Sequence, residues 1–211
     1  MLFGCTKRNQ VRHYLEDKET ARMTDDIARL VSLFQQGDRQ AFTRLVKAFR
    51  RKVYSLAYRI LLNHIDADEV TQETFVRIYN RIGQLKSPEH FESFVYRIAT
   101  NYAIDLLRKR KGRVVAMPKE SELPGSVQLT LSIKVTDPEK ILENKQLLAA
   151  ITQAAEELPP RQRATLVLHD IEGLSKEEVA GIMGCPEATV RSNLHIARNK
   201  LKKKLGKLLS Q

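Results

Sequence analysis

The stretch GLSKEEVAGIMGCPEATVRSNLHIARNKLKKK, residues 173–204, has the pattern of a helix-turn-helix. Ser175 followed three residues later by Glu178 forms a capping box, which predicts the start of a first helix. Gly184 supplies the positive φ that ends a helix, and Pro186 suits the first turn of the next one. Apolar residues then recur at three- and four-residue steps, which predicts a second helix with one buried side. These residues are Val190, Leu194, Ala197, Leu201, Leu205 and Leu208.

The opposite side of this second helix is polar and mostly basic. It carries Ala188, Arg191, Ser192, His195, Arg198 and Lys202. A helix with Arg and Ser near its start, held by a short turn, suits the DNA major groove, where Arg can pair both acceptors of guanine. The alternative is a solvated basic face on an ordinary helical hairpin, since this spacing also arises by chance.

The composition favours a polyanionic partner. The chain of 211 residues has a formal net charge of +11 and a pI of about 9.7, which points first to nucleic acid and second to an anionic membrane surface. No apolar run approaches a membrane span and the start is not a secretory signal, so we expect no membrane insertion. Cys5 and Cys185 lie far apart, which predicts a reduced cytoplasmic protein without disulfide, zinc or other cofactor.

The chain before residue 62 predicts a loose extension and two helices. Residues 1–23 are weakly patterned, and we expect either that they form a loose extension or that Met23 is the native start. Helical spacing begins after the acids Asp25 and Asp26, which favour a helix start. After Gly37 and Asp38, apolar residues step by three and four from Leu45 to Ile60. The outer side of that helix carries cations with no acid between them, usually a solvated face but also suited to nucleic acid. They are Arg44, Lys47, Arg50, Arg51, Lys52 and Arg59.

An acidic segment follows a break at residues 63–65. The next helix is expected to open at Asp66 with the sequence DADEVTQETF, residues 66–75. Acids in a first turn stabilise a helix, which is one explanation for them. The other explanation is protein docking, because an acidic patch on a basic DNA-binding protein attracts a protein partner. The patch consists of Asp66, Asp68, Glu69 and Glu73, together with Gln72.

A further helix, residues 91–111, follows a loop that contains Ser87 and Pro88. Arg97, Asn101, Asp105 and Arg108 lie on one polar stripe of this helix, expected beside that loop, and the helix ends in a run of Lys and Arg. Aromatic residues, an amide and cations together suit single-stranded DNA. The alternative is that Asp105 pairs with Arg97 or Arg108 and that Asn101 is only solvated.

The remaining pattern predicts an all-α protein made of two small helical domains on a flexible linker. Residues 112–138 are rich in Pro and Gly, and an alternating segment at 127–135 has no partner strand, so we interpret it as extended. Helical spacing resumes after Pro138, and a short helix is expected from Arg161 to Asp170. The predicted domains are residues 24–111 and 139–211, with the C-terminal domain containing the helix-turn-helix.

Three motifs in this order resemble one family. DADEVTQETFVRIY (66–79), FVYRIATNYAIDLLRKRK (94–111) and LPPRQRATLVLHDIEGLSKEEVAGIMGCPEATVRSNLHIARNKL (158–201) are similar to the extracytoplasmic-function, or group 4, sigma factors of the sigma-70 family. The resemblance covers most of residues 24–205. It implies a promoter-specificity subunit that binds core RNA polymerase and promoter DNA, with an anti-sigma factor as a further partner.

The resemblance also implies roles for individual residues. Within the acidic patch, Glu69, Gln72 and Glu73 match the segment that docks on the clamp helices of the polymerase, and Asp66 is grouped with them. The residues expected at the melted −10 element are Lys86, Ser87, His90, Tyr96, Arg97, Asn101, Arg108 and Lys109, with Tyr96 as the stacking candidate. The residues expected at the −35 element are Ser175, Arg191, Ser192, His195, Arg198 and Lys202.

Two other classes of protein were weighed against this interpretation. A conventional helix-turn-helix regulator, acting without polymerase, explains residues 139–211 but leaves the acidic patch and the Asn101 stripe without a role. A nucleic-acid hydrolase is disfavoured because the chain has no P-loop, HExxH or GxSxG motif and its His residues are scattered. We therefore expect no catalytic residues, and the sigma factor remains the preferred hypothesis.

Overall fold

The computed structural model describes residues 25–112 and 151–208, and every regular element in these two ranges is helical. This confirms the predicted all-α class for the described part of the chain. The predicted N-terminal extension, residues 113–138 of the predicted linker and the first residues of the predicted C-terminal domain lie outside the described residues.

The N-terminal group of helices contains four α-helices. Helix α1 covers residues 25–35, α2 covers Arg39–Leu61, α3 covers His64–Arg81 and α4 covers Phe91–Gly112. Short 3₁₀ turns at Ile82–Gln84 and Pro88–His90 connect α3 to α4. Helix α2 packs against α3. The predicted apolar stripe of α2 is fully buried and supplies Leu45, Phe49, Val53, Leu56 and Ile60 to the core.

Local sequence sets the ends of these helices. Gly37, at φ +103°, ends α1, and the Asp38 carboxylate accepts the Gln40 N–H at 2.8 Å to cap α2, as predicted. The expected start of α3 at Asp66 is wrong by two residues. The Asn63 side-chain oxygen accepts the Asp66 N–H at 3.0 Å, so Asn63 is the cap and Asp66 lies inside the first turn.

The C-terminal group contains a helical segment, α5, at residues 151–156, then α6 at Pro160–Leu166, α7 at Lys176–Met183 and α8 at Glu187–Leu208. Helix α6 continues into a π-helical turn, Val167–Ile171, so the single short helix expected from Arg161 to Asp170 is made of two parts. Helix α6 packs against α8. Of the predicted stripe of α8, Val190, Leu194 and Ala197 are buried, whereas Leu201 and Leu205 are partly exposed.

The turn between α7 and α8 confirms the predicted helix-turn-helix. The Glu178 N–H donates to Ser175 Oγ at 3.1 Å and the Ser175 N–H donates to Glu178 Oε2 at 2.8 Å, which is a complete capping box. Gly184 has φ +58°, and the Cys185 N–H donates to the Ala180 carbonyl at 3.1 Å. This bond spans five residues and closes α7 with a Schellman motif.

Candidate nucleic-acid and protein interfaces

The acidic patch occupies the solvent side of α3, with one exception. Glu69 and Gln72 are exposed and Glu73 is partly exposed. Asp66 is only 2% exposed, so the prediction that it belongs to a docking surface is wrong. Asp66 is the third residue of α3, and its backbone N–H donates to the Asn63 cap.

Tyr102 of α4 connects Glu69 and Glu73, two acids of the patch. Its hydroxyl donates to Glu69 Oε1 at 2.7 Å, and the Arg77 guanidinium lies 4.4 Å from the centroid of its ring. Arg77 Nε in turn donates to Glu73 Oε1 at 2.7 Å. The hydrogen bond to Glu69, followed by burial and the nearby carboxylates, raises the pKa of Tyr102 to about 12. We define these four residues, Glu69, Glu73, Arg77 and Tyr102, as the α3–α4 network.

The sequence pattern did not reveal the α3–α4 network. Glu73 and Arg77 are four residues apart, so their pairing follows a local rule. Tyr102 and Glu69 are 33 residues apart, and no local pattern connects them.

Helix α3 also exposes large apolar side chains. Ile65, Val76 and Tyr79 are 77%, 54% and 44% exposed. Together with Glu69 and Gln72 they follow one another at alternating steps of four and three residues, which is the repeat of a coiled-coil seam. We call this row the α3 stripe. Its apolar members were missed because apolar residues in an amphipathic helix normally predict a core.

The predicted polar stripe of α4 is exposed along its whole length. Arg97, Asn101, Asp105 and Arg108 are all at the surface, and so is Lys109. The Arg97 guanidinium lies 5.7 Å from the centroid of the Phe94 ring, and Arg108 Nη1 lies 3.7 Å from Asp105 Oδ1. Asp105 thus pairs with Arg108, one of the two partners that the alternative interpretation allowed, while the Asn101 amide faces solvent.

Tyr96 does not belong to this exposed stripe. It is only 4% exposed, so the prediction that it stacks on an extruded base is wrong. Helix α4 is covered on most of its circumference, since Val95, Ile98 and Thr100 are buried as well. Because most of the surface of α4 is buried, Tyr96 is covered by neighbouring residues and is not free to stack on a base.

The loop before α4 exposes Lys86 and His90, with Ser87 partly buried between them. The Gln35 amide of α1 donates to the carbonyls of Ile82 and Leu85, both at 2.9 Å, and holds the start of the loop. Asn101 is ten residues after Phe91, about 15 Å along the helix axis. In the described part of the chain no observed hydrogen bond or ion pair joins the loop to Asn101, so their expected proximity stays a prediction.

The solvent side of α8 carries the residues expected at a DNA groove. Arg191, Ser192, His195 and Lys202 are exposed. Arg191 Nη2 lies 3.0 Å from Glu187 Oε1, one turn earlier. An exposed pair of this kind contributes at most about 1 kcal/mol, so Arg191 remains able to exchange it for a base edge.

Arg198 has a structural contact that the sequence did not reveal. Its Nε donates to Asp170 Oδ2 at 3.0 Å and its Nη2 donates to the other oxygen, so the pair is bidentate. The hydrogen bond to Asp170 raises the pKa of Arg198. Arg198 thus anchors α8 to the turn that follows α6, and any contact with DNA competes with this anchor.

A shallow groove lies between the start of α7 and the solvent side of α8. It is lined by Lys176, Arg191, Leu194, His195, Arg198 and Asn199. Lys176 and Asn199 were absent from the predicted set, although Lys176 directly follows the predicted cap Ser175 and Asn199 directly follows Arg198. Asn199 Nδ2 lies 2.9 Å from His195 Nε2. Three cations in one groove suit an anionic ligand.

Not all the lysines at the end of α8 face solvent. Lys204 pairs with Glu157, and Lys200 Nζ donates to Gln162 Oε1 at 3.3 Å. Its partner ties Lys204 to the segment between α5 and α6. Lys200, Lys202 and Lys203 are exposed, whereas Lys204 is partly buried.

Within residues 25–112 and 151–208, no three His, Cys, Asp or Glu side chains converge on a site for a metal ion. In the same ranges, none of the helices has both the length and the apolar character needed to cross a bilayer.

Comparison with known proteins assigns both groups of helices. Residues 45–113 match the family model of sigma-70 region 2, and residues 148–201 match that of sigma-70, region 4. The ECF RNA polymerase sigma factor SigE of Mycolicibacterium smegmatis is 37% identical over 179 residues, 83% of this chain and 66% of SigE. The ECF sigma factor SigW of Bacillus subtilis is 32% identical over 186 residues, 86% of this chain and 98% of SigW.

A solved structure supports the same fold. CnrH, in complex with the cytosolic domain of CnrY, matches with a TM-score of 0.61 at 23% identity, over 86% of this chain and 97% of CnrH. Both sigma regions occur in the order of the three sequence motifs, and SigW is matched over almost its whole length. The chain therefore belongs to the extracytoplasmic-function sigma factors of the sigma-70 family.

Proposed function

We propose that the two helical groups of this sigma factor divide promoter recognition between them. Residues 25–112 hold the core polymerase and the melted −10 element, and residues 151–208 read the −35 duplex. The observation that carries the proposal is the match to regions 2 and 4 in one chain, each with its own exposed polar surface. Sigma factors are DNA-binding initiation factors, so the catalytic step belongs to the polymerase.

The α3 stripe is the proposed polymerase-docking surface. Glu69 and Gln72 stand in the middle of the stripe, with Glu73 beside them, and exposed apolar side chains stand at both ends. Alternating four- and three-residue steps suit packing against helices of a partner. The carboxylates favour a basic partner surface and add specificity, while the apolar ends supply buried area. Asp66 has no part in this surface because it is buried.

The exposed stripe of α4 and the loop before it are the proposed site for the melted −10 element. Extruding a base costs a few kcal/mol. The Asn101 amide has donors and an acceptor that can pair with the edge of an extruded base. The neighbouring cations can hold the phosphates of the displaced strand. These cations are Arg97, Arg108, Lys109 and Lys86, with His90 as a further polar group of the loop.

The start of α8 and the groove beside it are the proposed site for the −35 duplex. Arg191 and Ser192 stand near the helix start, where a recognition helix contacts base edges. His195 and Asn199 continue the same side, and Lys176 and Lys202 are placed to contact phosphates. Among the residues predicted to contact the −35 duplex, Arg198 is the least available, because its guanidinium already binds the Asp170 carboxylate.

One further partner, the location in the cell and the domain limits belong to this proposal. The sigma factor RpoE from Bartonella quintana, matched with a TM-score of 0.58, is solved in complex with the anti-sigma factor NepR. We propose by analogy that an anti-sigma factor controls this chain. Because the polymerase and the promoter are its targets, we place the protein in the cytoplasm. The proposed domains remain residues 24–111 and 139–211, with a linker at 112–138 and an extension at 1–23.

A conventional helix-turn-helix regulator is the second candidate, since α7, α8 and the cationic groove alone would serve it. In vitro transcription on fragmented genomic DNA, with core polymerase and with or without this chain, separates the two. We expect transcripts only when both are present, and their mapped start sites should share sequence elements near −10 and −35. If the chain instead binds promoter fragments tightly by itself and yields no transcript with core polymerase, the regulator is correct.

A further inference from the structure

We infer that Tyr102 is a positioning residue for polymerase docking: from α4 it holds the carboxylates of α3 in the arrangement that the polymerase binds. This inference rests on the proposed function of the α3 stripe. It goes further because it assigns a docking role to a residue of the −10 helix.

The contacts form a continuous chain. Glu69, Glu73 and Arg77 stand four residues apart and so lie in one row along α3. The Tyr102 hydroxyl donates to Glu69 Oε1 at 2.7 Å, and the Arg77 guanidinium lies 4.4 Å from the centroid of the Tyr102 ring. Arg77 closes on the middle residue, Glu73, at 2.7 Å. One side chain of α4 therefore fixes both carboxylates, one directly and one through Arg77.

The chemistry of Tyr102 explains why a phenol suits this position. A Lys or Arg in its place would hold Glu69 equally well but would cancel its charge. The phenol is a neutral donor, and with its pKa raised to about 12 it stays neutral at physiological pH. The α3–α4 network therefore keeps a net charge of about −1 for a basic partner, from two carboxylates and one guanidinium.

Ordering these side chains before binding lowers the entropic cost of docking. Immobilising a flexible Glu side chain at an interface costs conformational entropy and so weakens binding. A Glu side chain that is already held in place before binding avoids this cost. Because the network is partly exposed, its contribution to folding should be small. A positioning role thus predicts an effect on polymerase affinity without a matching effect on stability. Tyr102 directly follows Asn101, so the same helix segment that faces the −10 strand also holds the docking carboxylates.

The test compares single and double variants in equilibrium binding to core polymerase. Tyr102→Phe removes the bond to Glu69 but keeps the ring against Arg77, and it should weaken binding about two- to five-fold. Tyr102→Leu removes both contacts and should weaken binding further. In a Glu69→Ala background the effect of Tyr102→Phe should disappear, because the two residues act through one bond. Tyr58→Phe, which removes another partly buried phenol of the same group, is the matched control and should bind as wild type.

A second measurement does not involve the polymerase. In the free chain with ¹³C-labelled tyrosine, the Tyr102 resonance should titrate near pH 12 in the wild type, and Glu69→Ala should lower that pKa. Thermal unfolding of Tyr102→Phe should match that of Tyr58→Phe.

The outcomes separate this inference from the proposed docking surface. If Gln72→Ala with Glu73→Lys weakens core binding while Tyr102→Phe does not, the docking surface stands and the role of Tyr102 is overturned. An equal loss from Tyr102→Phe with and without Glu69 also overturns it. If neither variant changes core binding, the docking assignment fails and this inference fails with it, even where the pKa measurement confirms the bond.

Discussion

Asn101 is the residue on which the proposed melting step depends. Its amide is exposed on α4, one turn from Arg97 and one turn from Asp105. We predict that Asn101→Ala leaves binding to core polymerase and to −35 duplex unchanged. Open-complex formation should fall about two- to ten-fold, because a typical hydrogen bond contributes about 0.5–1.5 kcal/mol. Permanganate reactivity of thymines near the start site measures this loss.

Two controls sharpen the Asn101 experiment. A template already mismatched across the −10 element should partly rescue the variant, since the cost of unstacking has been removed. Gln36→Ala removes an exposed amide at the end of α1 and should behave as wild type. Full permanganate reactivity of Asn101→Ala on duplex DNA would leave Asn101 as a solvated helix residue.

Arg191 is the residue expected to read sequence in the −35 duplex. Arg191→Ala should cost about 1–3 kcal/mol and relax the preference at one base pair. Lys203→Ala, an exposed cation further along α8, should weaken all −35 variants alike and reduce the salt dependence of binding. Competition binding against a set of single-base −35 variants measures both effects. Equal loss on every variant for Arg191→Ala would show a phosphate contact instead of base reading.

Helix α3 acts as a unit through its solvent side. Gln72→Ala combined with Glu73→Lys should weaken core binding, because the reversed charge faces a basic partner and also repels Arg77. We expect a loss of several kcal/mol, in line with the cost of like charges across an interface. Asp26→Lys makes the same charge change in the first turn of α1 and is the control. Unchanged affinity in a pull-down against core polymerase would exclude α3 as the docking helix.

The start of α7 combines a capping role with a predicted DNA contact at Ser175. Ser175→Ala removes the cap and should lower the free energy of unfolding by about 1 kcal/mol. Ser175→Asp keeps a capping oxygen, so stability should be retained, but its charge should repel DNA phosphates and weaken −35 binding. Chemical denaturation and duplex binding of the two variants distinguish the roles. Wild-type duplex binding by Ser175→Asp would leave Ser175 with the cap alone.

At the scale of the whole molecule, where the net charge is +11, basic and acidic residues are concentrated on different helices. Helix α2 contains no acid and exposes Arg44, Lys47, Arg50 and Arg51, whereas the first half of α3 carries the acidic patch. In a helix, Arg44, Lys47 and Arg51 lie opposite the buried stripe that runs from Leu45 to Ile60. This arrangement allows one helix to face phosphates while its neighbour faces a protein.

Replacing Arg44, Lys47 and Arg51 together by Gln tests whether α2 contacts DNA. Each lost phosphate contact should reduce the slope of log affinity against log salt by about 0.9 on duplex or about 0.7 on single strands. Promoter binding by the holoenzyme, measured over a salt series, gives that slope, and core binding should stay unchanged. Arg29→Gln, an exposed cation of α1, is the control. An unchanged slope would mean that this face of α2 is only solvated.

Local rules predicted most of the described fold. The caps at Asp38 and Ser175, the turn at Gly184 and the buried sides of α2 and α8 agree with the sequence pattern. Each depends on residues within about four positions of one another, so hydrogen bonding and helical period suffice to infer them. The exposure of Arg191, Ser192 and Asn101 followed from the same period.

The errors concern burial by distant parts of the chain. Asp66 and Tyr96 both occupy positions that the period of their own helix allows to face solvent, yet both are buried. How much of a helix is covered depends on how many neighbours surround it, and α4 is covered on most sides. The hydrophobic pattern of a helix correctly predicts which residues lie in the middle of its buried side, but it predicts poorly which residues at the edges of that side are buried.

The sequence by itself therefore determined the helical class, the main helix boundaries, the order of the sigma motifs and hence the family. Only the tertiary structure decided which polar residues reach the surface and which contacts join separate helices. Tyr102 meets Glu69 across 33 residues and Arg198 meets Asp170 across 28. Such contacts depend on the angle and distance at which two helices pack, and no pattern within either helix specifies these.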